Sequence, residues 1–136
     1  MIETQTSVRV RFSETDAMGI VYHANYLAWC EVARLALIES IGLNYRKMND
    51  EGFHLPVVEA HLNYKYPAKY DDVVVLTARI AERPSVRIKV DYEIRANGKL
   101  LATGHTVHVF VNLQGMPVKP PKETAKILLG AFDSKK

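Results

Sequence analysis

Residues 24–41 constrain the fold more than any other part of this chain. Spaced at about 100° per residue, the apolar positions Leu27, Trp29, Cys30, Val32, Leu35, Leu37, Ile38 and Ile41 fall on every side of a helix. The polar exceptions, Asn25, Glu31, Arg34 and Glu39, are few and share no clean face. A helix that is apolar all round is buried rather than laid on a surface, so other segments must wrap it. Gly42 stands where a C-terminal cap is expected.

The wrapping material is legible on both sides of that helix. Residues 7–12 read as a short strand, with Val8, Val10 and Phe12 on one face and Arg9 and Arg11 on the other. After a short helical segment over residues 45–51, ended by Gly52, the chain reads as strands. Residues 55–66 alternate Val58, Ala60, Leu62, Tyr64 and Tyr66 against Glu59, His61, Asn63 and Lys65. Residues 73–81 are almost continuously apolar, and residues 86–94 alternate strictly. Asn97-Gly98 predicts a two-residue hairpin turn, because both of its central positions need positive φ. The return strand, residues 100–113, then pairs Ile94 with Leu101, Tyr92 with Thr103 and Val90 with His105. Pro117, Pro120 and Pro121 end the sheet, and a short helix over residues 123–129 closes the chain. The pattern predicts an α+β architecture: one long central helix wrapped by a curved antiparallel five-stranded sheet, the outline of a hotdog fold. A sheet on one side of such a helix leaves apolar surface, so at least a homodimer is expected.

Bulk properties narrow the function classes. At 136 residues, 48% hydrophobic and 24% charged, with no linker or repeat, the chain predicts one globular domain over residues 1–136. No run is long and apolar enough to span a bilayer, and the first residues lack the apolar core of a signal peptide, so a cytoplasmic protein is expected. A single cysteine, Cys30, allows no intrachain disulfide or multi-cysteine metal site, and its place inside the helix reads as core. The net charge of +3 favours anionic partners mildly, and its scattered basic residues point away from nucleic acid.

The chemistry concentrates in SETDAMGIVYHANY, residues 13–26. An acid ahead of a helix commonly serves as a turn or cap residue, but Asp16 lies too far from the helix start to cap it directly. Gly19 lets the backbone turn tightly. The first N–H groups of a helix lack internal partners and sit at its positive end. Aimed at an ester or thioester carbonyl, they would stabilise the oxyanion of a tetrahedral intermediate. A nearby carboxylate could activate water or attack the carbonyl itself.

Residues 14–34, ETDAMGIVYHANYLAWCEVAR, closely resemble the signature of the 4-hydroxybenzoyl-CoA thioesterase family of hotdog proteins, in its YbgC-like branch. The likeness continues through GFHLPVVEAHLNYKYPAKYDD, residues 52–72, to the last strand. The resemblance implies hydrolysis of an acyl-CoA, or acyl carrier protein, thioester without a metal or redox cofactor, coenzyme A being part of the substrate. It assigns Asp16 as the catalytic carboxylate, the backbone N–H of His23 as the group presented to the carbonyl, and Gly19 as the turn glycine. Tyr22, Asn25 and Tyr26 match positions around the pocket. Arg83 and Ser85, in ERPSVRIK at residues 82–89, match the place where basic and hydroxyl residues meet the nucleotide. Leu55, Val57, Leu62 and Tyr64 are expected to line an acyl pocket. The family makes a homotetramer, a dimer of dimers, an expectation as well.

The remaining polar residues have quieter readings. His54, His61, His105 and His108 do not assemble a metal site by spacing and read as hydrogen-bonded neutral residues. Glu31 and Arg34 could pair with each other or across a subunit boundary, and Glu59 reads as an exposed strand carboxylate. Two other functions stay open at this point. A hotdog hydratase or dehydratase would use Asp16 and His23 for proton transfer, and a non-catalytic acyl-CoA-binding module would keep the pocket alone.

Overall fold

A computed structural model describes residues 1–134, so the expected domain runs two residues beyond what is described. The elements are β1 (Ile2–Arg9), α1 (Asn25–Ser40), α2 (Tyr45–Asp50), β2 (Val57–Tyr64), β3 (Val73–Ile80), β4 (Arg87–Ala96), β5 (Lys99–Val109) and α3 (Lys122–Ser134). Five strands form one antiparallel sheet in the order β1-β3-β4-β5-β2. Helix α1 lies on its inner face against β1 and β3, with Tyr26, Trp29, Cys30, Ala33, Leu37 and Ile38 buried. Val74, Leu76, Ala78, Ile88, Val90, Tyr92 and Ile94 meet it from the sheet. This is the hotdog architecture that the sequence predicts.

Three local readings change. The first strand covers residues 2–9 rather than 7–12, because the polar run before Val8 pairs along its whole length with β3, Ile2 opposite Ile80 and Arg9 opposite Val73. Phe12 therefore leaves the sheet for a short 3-10 turn, Phe12–Glu14, and is 75% exposed. The β4–β5 hairpin starts as expected, with Ala96 opposite Lys99 and Arg95 opposite Leu100, but Ile94 then faces Ala102, Tyr92 faces Gly104 and Val90 faces Thr106. Leu101 is the extra residue of a bulge, and its carbonyl accepts the N–H groups of Lys65 and Tyr66 instead. Helix α3 runs on to Ser134, past the expected end at residue 129.

Strand β2 stands apart. It pairs with β5 on one side only, and almost all of it is exposed on both faces. On α1, Leu27 and Val32 point away from the sheet and are largely exposed. The sheet thus wraps one side of the helix and leaves an apolar flank beside an open strand edge.

Candidate active site

The residues ahead of α1 form a tight hairpin. Thr15 bridges to Val21, the Asp16 N–H donates to the Ile20 carbonyl (2.8 Å), and Gly19 turns the chain at φ 79°. Asp16 sits at its mouth, half-buried, where Oδ1 accepts the Met18 N–H at 2.8 Å. One carboxylate oxygen therefore shapes the turn. The other has no hydrogen-bond partner among the described residues.

Glu14 anchors this hairpin to the helix, a role the sequence reading missed. Its side chain is buried, with Oε1 accepting the Arg11 N–H (2.8 Å) and Oε2 the Trp29 indole N–H (2.9 Å). Its carbonyl accepts both the Tyr22 N–H and the Asn25 side-chain amide, each at 2.8 Å. Burial pushes the Glu14 carboxyl up, but the hydrogen bonds from Arg11 and Trp29 outweigh it and hold the group below the usual range. A buried indole N–H needs an acceptor, and that need was the signal in the sequence. Asn25, expected at the pocket, is a strut in this structure.

Two donors are open just ahead of helix α1. Tyr26 and Leu27 donate to the carbonyls of His23 and Ala24, but among the described residues nothing accepts from the N–H groups of His23 and Ala24 themselves. Beside them lies a cavity of about 250 Å³, lined by Ile20, Val21, His23, Tyr26, Tyr64 and Tyr66, among others. The Tyr64 hydroxyl donates to the His23 carbonyl (2.9 Å), and burial holds its phenol above the usual pKa. Tyr26 is buried beneath, its hydroxyl accepting the Ala68 N–H at 3.0 Å. Tyr22 is exposed and its ring leans on His23.

Other expected site residues lie elsewhere in the chain. Leu55 lines a cavity toward the C-terminal half of α1, and Leu62 packs over Gly104. Arg83 and Ser85 border a groove of about 500 Å³ with Lys119, Lys122 and Leu129, and Arg83 is bound to Asp133 at 2.6 Å. Leu128 belongs both to that groove and to the cavity around Leu37, Ile38 and Ile41, so it opens near the far end of a helix about 24 Å long. One chain brings together Asp16, Gly19, Tyr22, His23 and Tyr26, and leaves Leu55, Arg83 and Ser85 at a distance. Cys30 is fully buried with its thiol pushed up to about 12 by burial, which removes it as a nucleophile. No group of metal ligands occurs among the described residues.

Known proteins of similar sequence share this fold. Residues 10–128 match the Thioesterase-like superfamily. The chain belongs to that family. It is 37% identical over 110 residues to a putative acyl-CoA thioesterase, YneP, of Bacillus subtilis, covering 80% of each chain. It is 31% identical over 125 residues to a 1,4-dihydroxy-2-naphthoyl-CoA hydrolase of Synechococcus elongatus, covering 90% and 92%. The structure of a DHNA-CoA thioesterase from Staphylococcus aureus superposes with a TM-score of 0.90 at 30% identity, covering 100% of this chain and 97% of the other. The family read from residues 14–34 is thus the right one, and it makes this chain an acyl-CoA thioesterase, a thioester hydrolase. No described helix is long and apolar enough to cross a membrane.

Proposed function

We propose that the chain hydrolyses its acyl-CoA, or an acyl carrier protein thioester, with the carbonyl held against the start of α1. The observation that carries this reading is the pair of open N–H groups of His23 and Ala24 at the positive end of α1, beside a cavity. The His23 N–H polarises the thioester carbonyl. Asp16 uses its open oxygen to take a proton from water, or attacks the carbonyl to give an anhydride that water then opens. Either way the tetrahedral oxyanion collapses, the C–S bond breaks, and CoA leaves as its thiolate while the acid is released. No electrons change hands, so the step needs no redox cofactor, and Asp16 and the open N–H groups supply the base and the oxyanion donors that a metal would otherwise provide.

The working unit is a homodimer joined at the β2 edges, with a dimer of dimers as the larger assembly. An eight-residue edge strand with unpaired backbone groups, beside the exposed Leu27 and Val32, fits a second copy of itself running antiparallel. Across that two-fold axis the Tyr64 end of one strand lies beside the Val57 end of the other. The partner's end of α1 and its Arg83–Ser85 groove are thereby brought toward the His23 cavity, which suits a nucleotide-binding role for those two residues. A cytoplasmic location fits an acyl-CoA substrate.

Thiol release from short, long and aromatic acyl-CoAs tests this reading with wild type and Asp16→Asn side by side. Turnover falling by roughly a hundredfold or more in the variant, the scale of a lost acid–base group, is expected. Binding without thiol release in either protein would overturn it. Water addition to an enoyl-CoA, read by product mass, would then identify a hydratase, and its absence a binding module.

A further inference from the structure

Among the described residues, the carbonyls of Tyr22 and His23 receive one side-chain donor between them. It is the Tyr64 hydroxyl, 2.9 Å from the His23 oxygen. A carbonyl only accepts, so the phenol must be the donor. Partial burial, with Tyr26 beside it, holds that phenol above the usual pKa, so its proton stays on. The ring stands at the open edge of the sheet, yet it is held on several sides. Tyr26 meets it edge-on with centroids 5.0 Å apart, and the His23 ring lies edge-on at 6.2 Å. Tyr64 pairs with Ala102, and the bulged Leu101 carbonyl takes the next two N–H groups, those of Lys65 and Tyr66, at 2.7 and 3.1 Å. The end of β2 is thereby fixed to β5 where the phenol leaves it.

The His23 carbonyl and the Ala24 N–H are the two ends of one peptide unit. That unit is conjugated, so a donor on its oxygen draws electron density from its nitrogen and makes the N–H more positive. In a trans peptide the N–H also points away from the carbonyl, so Tyr64 acts from behind and leaves the Ala24 N–H open. The only backbone donor to the same carbonyl, the Tyr26 N–H, lies at 3.3 Å, beyond the usual range for a strong bond. The His23 N–H belongs to the preceding unit, whose Tyr22 carbonyl accepts the Asn25 N–H at 2.9 Å. The two open donors are therefore polarised by different means, one by the turn itself and the other by a side chain from β2.

We propose that Tyr64 is a positioning residue for thioester hydrolysis, which holds the His23–Ala24 peptide and strengthens the Ala24 N–H as a second donor to the oxyanion. The proposal rests on the reading of the helix start as the carbonyl site, and it needs no partner chain. The single proton of the phenol is committed to the backbone, so Tyr64 acts through the peptide and not on the substrate. Its effect is smaller than that of a donor in direct contact. Removing such a donor costs roughly a hundredfold to a thousandfold, and a neighbour that strengthens it by about 10–30% is then worth roughly twofold to eightfold in kcat.

The test replaces Tyr64 with Phe and, separately, with 3-fluorotyrosine and 3,5-difluorotyrosine. The fluorinated rings keep nearly the same shape while the phenol becomes a progressively stronger donor, and the work is done at a pH where each stays protonated. In the free protein the Ala24 amide resonance should shift in Tyr64→Phe and move the opposite way with fluorine, because its peptide carbonyl loses or gains a donor. Benzoyl-CoA and hexanoyl-CoA, labelled with carbon-13 at the thioester carbonyl, are then bound to the Asp16→Asn protein and read by infrared difference spectroscopy. The carbonyl band should fall in frequency in the order Phe, Tyr, fluorotyrosine, difluorotyrosine at position 64. With Asp16 present, kcat should rise in that order while KM changes little. A packing role alone predicts no response to fluorine. A carbonyl band indifferent to residue 64 with both esters, or an Ala24 resonance unmoved in Tyr64→Phe, overturns the proposal. An ordered carbonyl shift without thiol release by wild type sinks only the hydrolase reading, and thiol release with an indifferent band sinks only this one.

Discussion

Strands β4 and β2 alternate in the same way along the sequence. In β4 the apolar set Ile88, Val90, Tyr92 and Ile94 is buried. In β2 the corresponding set stands in the open, with Val58 58% and Tyr64 43% exposed. The difference is position. β4 lies between β3 and β5 with its inner face in the core that α1 helps to fill, while β2 closes the sheet with one neighbour and no helix laid along it. Alternation reports which residues share a face, and says nothing about whether that face is covered within the chain. An edge strand patterned like a central one is evidence of a missing neighbour.

The comparison can be broken from the centre outward. Ile94→Ala should cost about 2–5 kcal/mol, because the side chain is fully buried and the sheet cannot close over the space. Denaturant unfolding would show it, and a change under about 0.5 kcal/mol would mean the centre is as adaptable as the edge. The next effect is set by pH. Burial and the Arg34 charge drive the pKa of His108 down to about 4, so it is neutral when folded. Unfolded, it has its ordinary affinity for a proton, so the unfolded chain alone takes one up as pH falls. The stability that goes with the neutral ring is therefore intact above about 6.5 and is lost progressively down to about 4, some 3 kcal/mol in all. His108→Gln, which can still donate to the Leu55 carbonyl and accept from the Thr106 hydroxyl, should flatten melts taken across that window. An unaltered slope would place the acid sensitivity on carboxylates alone. The smallest effect on the folded chain lies at the edge: Val58→Lys should change its stability by less than about 0.5 kcal/mol. The same change should split the proposed dimer, as read by light scattering, since it sets two cations at the paired edge. An intact dimer would move the interface away from β2.

Much of the candidate site was legible because it is local. Asp16, Gly19, Tyr22 and His23 come from one continuous run whose turn, glycine and helix start each have a short-range cause, and they stay together in the structure. Glu14 was overlooked because a carboxylate in a loop looks solvated until Trp29, fifteen residues on, is folded over it. The hydrogen bonds that run from Arg34 through Tyr92 and Thr106 to His108 are more remote still, since a helix and two strands must pack before these residues meet. His108 was read as a hydrogen-bonded neutral residue, and it is one, but no spacing along the chain names its partners.

The sequence by itself determined the long helix, the strand periodicity, the Asn97-Gly98 turn and the loop that opens α1, because each depends on residues close in the chain. Only the tertiary structure decided the bulge at Leu101, which shifts the β4–β5 pairing by one residue, because the Leu101 carbonyl is engaged by Lys65 and Tyr66 from the exit of β2. It also decided that β2 is an edge and that Arg34 is anchored across the core. Those outcomes are set by which surfaces meet, and a pattern of faces along one strand carries no information about what lies opposite them.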